Sequence, residues 1–103
     1  MQKHLKMNEL IGLVQKWAIS RDLHEADPRG QMLEVMEEVG ETAGALAKLN
    51  SEALEDGIGD VLVTLIILCM QVDMSPEQCL QAAYDQIKNR TGVTIDGVFI
   101  KDE

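Results

Sequence analysis

A chain of 103 residues is long enough for one hydrophobic core and too short for two. A hydrophobic fraction of 46% excludes disorder, and one Trp, one Tyr and one Phe leave a core that must be aliphatic and Met-filled. The net charge of −9 excludes a nucleic-acid backbone or an anionic membrane surface as partner, since both repel it; a phosphate-bearing small molecule is still admitted if cations bridge the charges.

Taken in chain order, the pattern predicts an all-α fold with a short C-terminal hairpin. A first helix over 6–21 places Leu10, Ile11, Val14, Trp17 and Ala18 on one stripe. The polar stretch 22–30 ends in Asp27-Pro28, where Asp caps and Pro takes the first helical position of a second helix, 29–49. Asn50-Ser51 breaks that helix, with Ser51 as the expected cap of a third, 52–72. Ser75-Pro76-Glu77-Gln78 is the clearest start signal, a capping box opening a fourth helix over 76–90. The tail 91–103 carries a hairpin pattern around Asp96-Gly97; such a hairpin is marginal alone and has to pack on the bundle or on a second subunit.

Residues 61–70 are apolar on every side except Thr64, so the third helix has to be surrounded, and a dimer or tetramer is the economical way to do it. Met7, Met32, Met36, Met70 and Met74 read as gap-filling core. Cys69 and Cys79 read as buried thiols of a reducing compartment. The N-terminus lacks the apolar core of a signal peptide, and 61–70 is half a membrane span, so a soluble cytoplasmic protein is expected.

On a helical wheel Glu34, Glu37, Glu38 and Glu41 share an arc of roughly 100°. No Lys or Arg lies between Gln31 and Ala47, so these like charges at i,i+3 and i,i+4 each cost about 0.2–0.5 kcal/mol with nothing on the helix to offset them. Asp60 stands at the mouth of the apolar helix with Asp56 one turn before it, and no Lys or Arg occurs between Lys48 and Lys88. A carboxylate entering an apolar core has to be paired or metal-bound. Antiparallel packing of the second and third helices would set Asp60 opposite Glu38 and Glu41, an all-oxygen donor set suited to Mg²⁺ or Mn²⁺. The competing reading is a solvated acidic face that serves a helical interaction module. A di-iron bundle is set aside, because neither His4 nor His24 follows a Glu at the Glu-x-x-His spacing.

Glu37-Glu38-Val39-Gly40-Glu41, followed by Gly59-Asp60-Val61-Leu62 and then Lys88-Asn89-Arg90, resembles the MazG-like family of all-α nucleoside triphosphate pyrophosphohydrolases. That family also takes in dimeric dUTPases, dCTP pyrophosphatases and phosphoribosyl-ATP pyrophosphohydrolases. The resemblance covers about 17–90 and implies a four-helix bundle, completed by dimer or tetramer association, that cleaves a (d)NTP between the α- and β-phosphates in nucleotide pool sanitation. It implies Glu38, Glu41 and Asp60 as ligands of Mg²⁺ (or Mn²⁺), and Glu37 or Glu38 as general base. Lys88 and Arg90 would clamp phosphate, and Asn89 would contact base, sugar or phosphate. Trp17 would wall the base pocket, with Arg21, His24 and Gln31 flanking the loop over the nucleotide. The sequence departs from the family at one place. The second motif, Glu-x-x-Asp, has Gly57 where the Glu belongs, leaving Asp56 as a substitute ligand. A phosphoribosyl-ATP pyrophosphohydrolase is the nearest rival within the resemblance.

Overall fold

A computed structural model describes residues 4–103. Four helices follow one another, α1 (Met7–Ile19), α2 (Pro28–Ala47), α3 (Ser51–Gln71) and α4 (Pro76–Ile87), with a single 3-10 turn, Leu23–Glu25, between the first two. An antiparallel hairpin of β1 (Gly92–Ile95) and β2 (Val98–Lys101) closes the chain. The all-α class with a terminal hairpin is therefore as expected. The Asp-Gly turn works as it must, with Asp96 at φ 51° and Gly97 at φ 78°, the double left-handed geometry that joins two strands tightly.

The caps explain where the helices begin. Asp27 Oδ1 accepts from the Arg29 backbone N–H at 2.9 Å, with Pro28 in the first turn. Ser75 Oγ accepts from the Gln78 N–H at 3.3 Å. At α3 the cap is Asn50, whose Oδ1 accepts from the Ala53 N–H at 3.1 Å, and Ser51 is already helical. α4 stops at Ile87, a turn short of the expected end, so Lys88, Asn89 and Arg90 lie beyond the helix.

α2 ends in a Schellman turn: the Asn50 N–H reaches Ala45 O at 3.1 Å and the Leu49 N–H reaches Leu46 O at 3.0 Å. Leu49 holds φ 54° there and is 85% exposed, so its side chain bears the left-handed strain and packs on nothing. Leu49→Gly is expected to raise stability by about 1 kcal/mol, most of the cost of that strain for a non-glycine residue. A denaturant midpoint equal to or below wild type would contradict this.

α3 is the organising element. It packs along α2 as an antiparallel pair and also touches α1, the 3-10 turn and the base of α4. Buried Val35 and Ala45 on α2 and buried Gly57, Ile66 and Ile67 on α3, with Ala18 of α1, form the core. Two long ties lock it: the Gln31 amide donates to Thr64 O at 3.0 Å and the Gln71 amide to Leu23 O at 2.9 Å. α4 leaves α3 at 103° and contacts neither α1 nor α2, so three helices pack and the fourth stands off.

That arrangement corrects several expectations. Met7, Met32, Met36 and Met74 are exposed, and Met70 is only half-buried, because the flanks they occupy have no cover within the chain. Cys79 is exposed on α4 and Cys69 half-buried, for the same reason. α3 itself keeps Leu62 and Leu65 exposed. Among the described residues no single helix is long and apolar enough to cross a membrane.

Candidate metal and nucleotide site

The carboxylates gather where α2 and α3 run side by side. Val35, Glu38, Thr42 and Ala45 form the seam of α2 that faces α3, buried or half-buried in turn. Glu38 is therefore the acidic residue that points inward, while Glu34, Glu37 and Glu41 flank it, exposed. Its Oε2 is buried and has no hydrogen-bond partner. Burial pushes the Glu38 carboxyl above the ordinary carboxylate range, and the negative charges of Glu41, Asp60, Glu34 and Glu37 push it further the same way. Asp60 and Glu41 thus each act on Glu38 by charge, while Asp60, expected at the entry to an apolar core, is itself exposed.

Among the described residues no three Asp, Glu, His or Cys side chains already converge on a point that could hold an ion. The donor chemistry nonetheless fits one. A buried carboxylate oxygen without a partner, acted on by the charge of four more carboxylates and by no cation among the described residues, is a hole for positive charge. Glu38, Glu41 and Asp60 are the groups that could turn inward onto a divalent cation.

Asp56 is exposed and is not among the charges that act on Glu38. The neighbouring Gly57 is buried where α2 and α3 cross: a Cβ there would stand 2.5 Å from Thr42 Oγ1 and 3.2 Å from Thr42 Cα. The Thr42 hydroxyl is itself fixed, donating to Glu38 O at 2.7 Å. Helix contact thus takes the position at which the family pattern carries its second glutamate.

Beside the carboxylates, α1 and α3 border a shallow, open apolar depression lined by Leu10, Leu13, Val14, Trp17 and Val63 together with Asp60. Trp17, expected in the core or in a base pocket, is 46% exposed in this depression. The Arg21 guanidinium lies 4.3 Å over the indole centroid and 3.1 Å from Ser20 Oγ. The helical stripe of α1 signalled Leu10, Val14 and Trp17; that Leu13 and Val63 would join them was not readable without the α1–α3 packing.

The remaining expected site residues are dispersed. His24, an exposed loop residue on the sequence reading, is half-buried on the 3-10 turn, its Nε2 3.8 Å from Glu25 and its buried Nδ1 unpartnered. The Gln31 amide is used in the tie to α3. Arg29 is held by Asp27 at 2.7 Å, and the hydrogen bonds that its guanidinium and its backbone N–H donate keep the Asp27 carboxyl below the usual range. Lys88 pairs with Asp85 at 3.2 Å, and with Asn89 and Arg90 it follows α4, which does not touch α2. One chain therefore does not bring those three residues to the carboxylates.

The sequence profile of the MazG nucleotide pyrophosphohydrolase domain matches residues 27–94, from the cap of α2 into β1. An uncharacterized 18.2 kDa protein from the rep–hol intergenic region of Haemophilus phage HP1 (strain HP1c1) is 36% identical over 66 residues. That stretch is 63% of this chain and 40% of the phage protein, so the chain spans well under half of that relative's length. No solved structure matches.

Proposed function

The chain belongs to the MazG nucleotide pyrophosphohydrolase family, and from that premise we propose that it is a metal-dependent pyrophosphohydrolase converting a (deoxy)nucleoside triphosphate and water into the monophosphate and pyrophosphate. The observation that carries the reading is the unpartnered, buried Oε2 of Glu38 amid Glu34, Glu37, Glu41 and Asp60. With no cation among the described residues acting on this cluster, the carboxylates have no means of their own to hold a polyphosphate; they need divalent ions between the two sets of negative charge.

Glu38, Glu41 and Asp60 would hold Mg²⁺ or Mn²⁺, with Asp56 close by in sequence on α3. Bound there, the metal would neutralise the polyphosphate and acidify the attacking water. The protein's own groups do the rest. Glu37, exposed next to Glu38, takes the proton of the attacking water, and Glu38 is the alternative base because its raised affinity for a proton suits it to that exchange. The Trp17 face and the aliphatic side chains of the depression receive the base and sugar, with Asp60 beside them on the metal side. Arg21, already over the indole, can form the opposite wall of a stacked sandwich. Lys88, Asn89 and Arg90 act as phosphate contacts only if α4 of another copy delivers them.

The direct test is a panel of canonical and damaged (deoxy)nucleoside triphosphates plus phosphoribosyl-ATP, assayed for pyrophosphate with Mg²⁺. Turnover of at least one nucleoside triphosphate is expected, and Asp60→Asn should lower it by about 100-fold or more, as loss of a metal ligand does. Turnover of phosphoribosyl-ATP alone would replace this reading with its rival. Absence of pyrophosphate from every compound would leave the acidic interaction module.

A further inference from the structure

The two cysteines stand on either side of the bend between α3 and α4, Cys69 in the last turn of one helix and Cys79 in the first turn of the other. α3 ends in a Schellman turn: the Met74 N–H reaches Cys69 O at 2.8 Å and the Asp73 N–H reaches Met70 O at 3.4 Å. Asp73 takes the left-handed conformation that this turn requires, with φ 57°. The chain is thereby folded back over Cys69 before Ser75 caps α4, and the Ser75 carbonyl accepts from the Cys79 N–H at 3.0 Å. With α4 set at 103° to α3, the Cys79 thiol meets the Cys69 thiol within hydrogen-bonding reach. Burial, joined by Cys79 and by the charge of Glu77, holds the Cys69 thiol above its ordinary range.

We infer that Cys69 and Cys79 form a reversible redox staple: oxidised by a small-molecule disulfide, they join α3 to α4 through one intrachain bond. The roles divide by exposure. Cys79, exposed, meets the oxidant: as thiolate it attacks one sulfur of the small disulfide, forming a mixed disulfide and releasing one small thiolate. Cys69, half-buried beside it, then attacks the Cys79 sulfur, and the second small thiolate leaves. Two protein thiols become one disulfide, the small disulfide is reduced to two thiols, and the two cysteine protons pass to the released thiolates. A thiol held protonated is a poor first nucleophile, which suits Cys69 to the second step, where proximity drives the attack.

The fold permits the closure. Bonded sulfurs stand about 2 Å apart, so the two thiols have to draw together from contact distance. Among the described residues α4 packs on α3 alone, so it can shift by that amount without disturbing α1 or α2. The consequence falls on the same element. Lys88, Asn89 and Arg90 follow α4, and where they lie relative to α2 and α3 depends on how α4 is held. With the thiols free, α4 pivots about residues 72–75; with the bond closed, its first turn is fixed to the last turn of α3. Reversible disulfides of this kind occur in reducing compartments as redox sensors. The staple does not depend on the reaction proposed for the carboxylates.

The full chain, equilibrated with mixtures of reduced and oxidised glutathione and quenched in acid, tests this by intact mass. The oxidised end is expected to be a single chain about 2 Da lighter than the reduced one, with no free thiol and no bound glutathione. Cys69→Ser should stop with one glutathione on Cys79, because the thiol that resolves it is gone. Hydrogen exchange of the wild type then reads the staple directly. Amides of 79–83 should exchange about tenfold or more slowly in the oxidised chain, while those of 10–18 in α1 are unchanged. A wild-type chain that stops as a glutathione adduct, or two chains joined through Cys79, would overturn the inference. So would a Cys69→Ser chain that takes no glutathione, or equal exchange of α4 in the two forms.

Discussion

Glu38→Gln is expected to make the metal-free protein more stable at neutral pH while reducing hydrolysis by about 100-fold or more, the penalty of losing a metal ligand. The two effects share one cause. In the folded chain the Glu38 carboxyl is held above its ordinary range by burial and by Glu41, Asp60, Glu34 and Glu37, so the native state binds its proton more tightly than the unfolded chain does. The contribution of that protonated group to stability is fully present below the unfolded carboxylate value. It is lost as pH rises through the raised folded value. Glutamine, neutral throughout, escapes the loss. In EDTA the variant's melting temperature should therefore exceed wild type at pH 7, and the gap should close as pH falls below the ordinary carboxylate range. Added Mg²⁺ or Mn²⁺ should raise the wild-type melting temperature and leave Glu38→Gln nearly unmoved. A variant less stable than wild type in EDTA at pH 7 would show that the ionised carboxylate has a partner, and the cation hole would be gone.

Gly57→Ala is expected to destabilise the fold by about 1–2 kcal/mol, even though alanine is intrinsically the better helix former by about 1 kcal/mol. The added Cβ would stand 2.5 Å from Thr42 Oγ1 and 3.2 Å from Thr42 Cα, and the Thr42 hydroxyl is tied to Glu38 O. Rotating that hydroxyl away relieves one contact but not the backbone one, so α2 and α3 have to separate. The same separation moves Asp60 relative to Glu38, so activity should fall with stability. Adding Thr42→Ala should recover part of the loss. Gly57→Glu, which restores the family's glutamate, should be no less disruptive and should not improve turnover. Thermal or denaturant unfolding decides; equal stability of Gly57→Ala and wild type would contradict the close crossing.

Punctuation made the architecture readable in the sequence. Asp27-Pro28, Ser75-Pro76 and Asp96-Gly97 set two helix starts and the hairpin through local hydrogen bonds and backbone geometry alone. The acidic arc on α2 was likewise legible, as was the reach of the Asp60 charge to Glu38, because helical spacing and antiparallel packing follow from residue order. Periodicity tells which face of a helix is apolar but not what covers it. Hence the exposed methionines, the half-open α3 and the detached α4 were out of reach. The wheel also grouped Glu38 with its neighbours; only its place on the seam with Val35, Thr42 and Ala45 separates the buried carboxylate from the exposed ones. The role of Gly57 depends on one interhelical distance, and no sequence pattern encodes that.

The central claim is that these carboxylates serve metal-dependent cleavage between the α- and β-phosphates. Phosphorus-31 NMR of a nucleoside triphosphate reaction, run with Mg²⁺ and again with EDTA, tests it most directly. The account predicts paired growth of nucleoside monophosphate and pyrophosphate signals with Mg²⁺ and no reaction with EDTA. Orthophosphate with nucleoside diphosphate, or pyrophosphate formation that continues in EDTA, would contradict it.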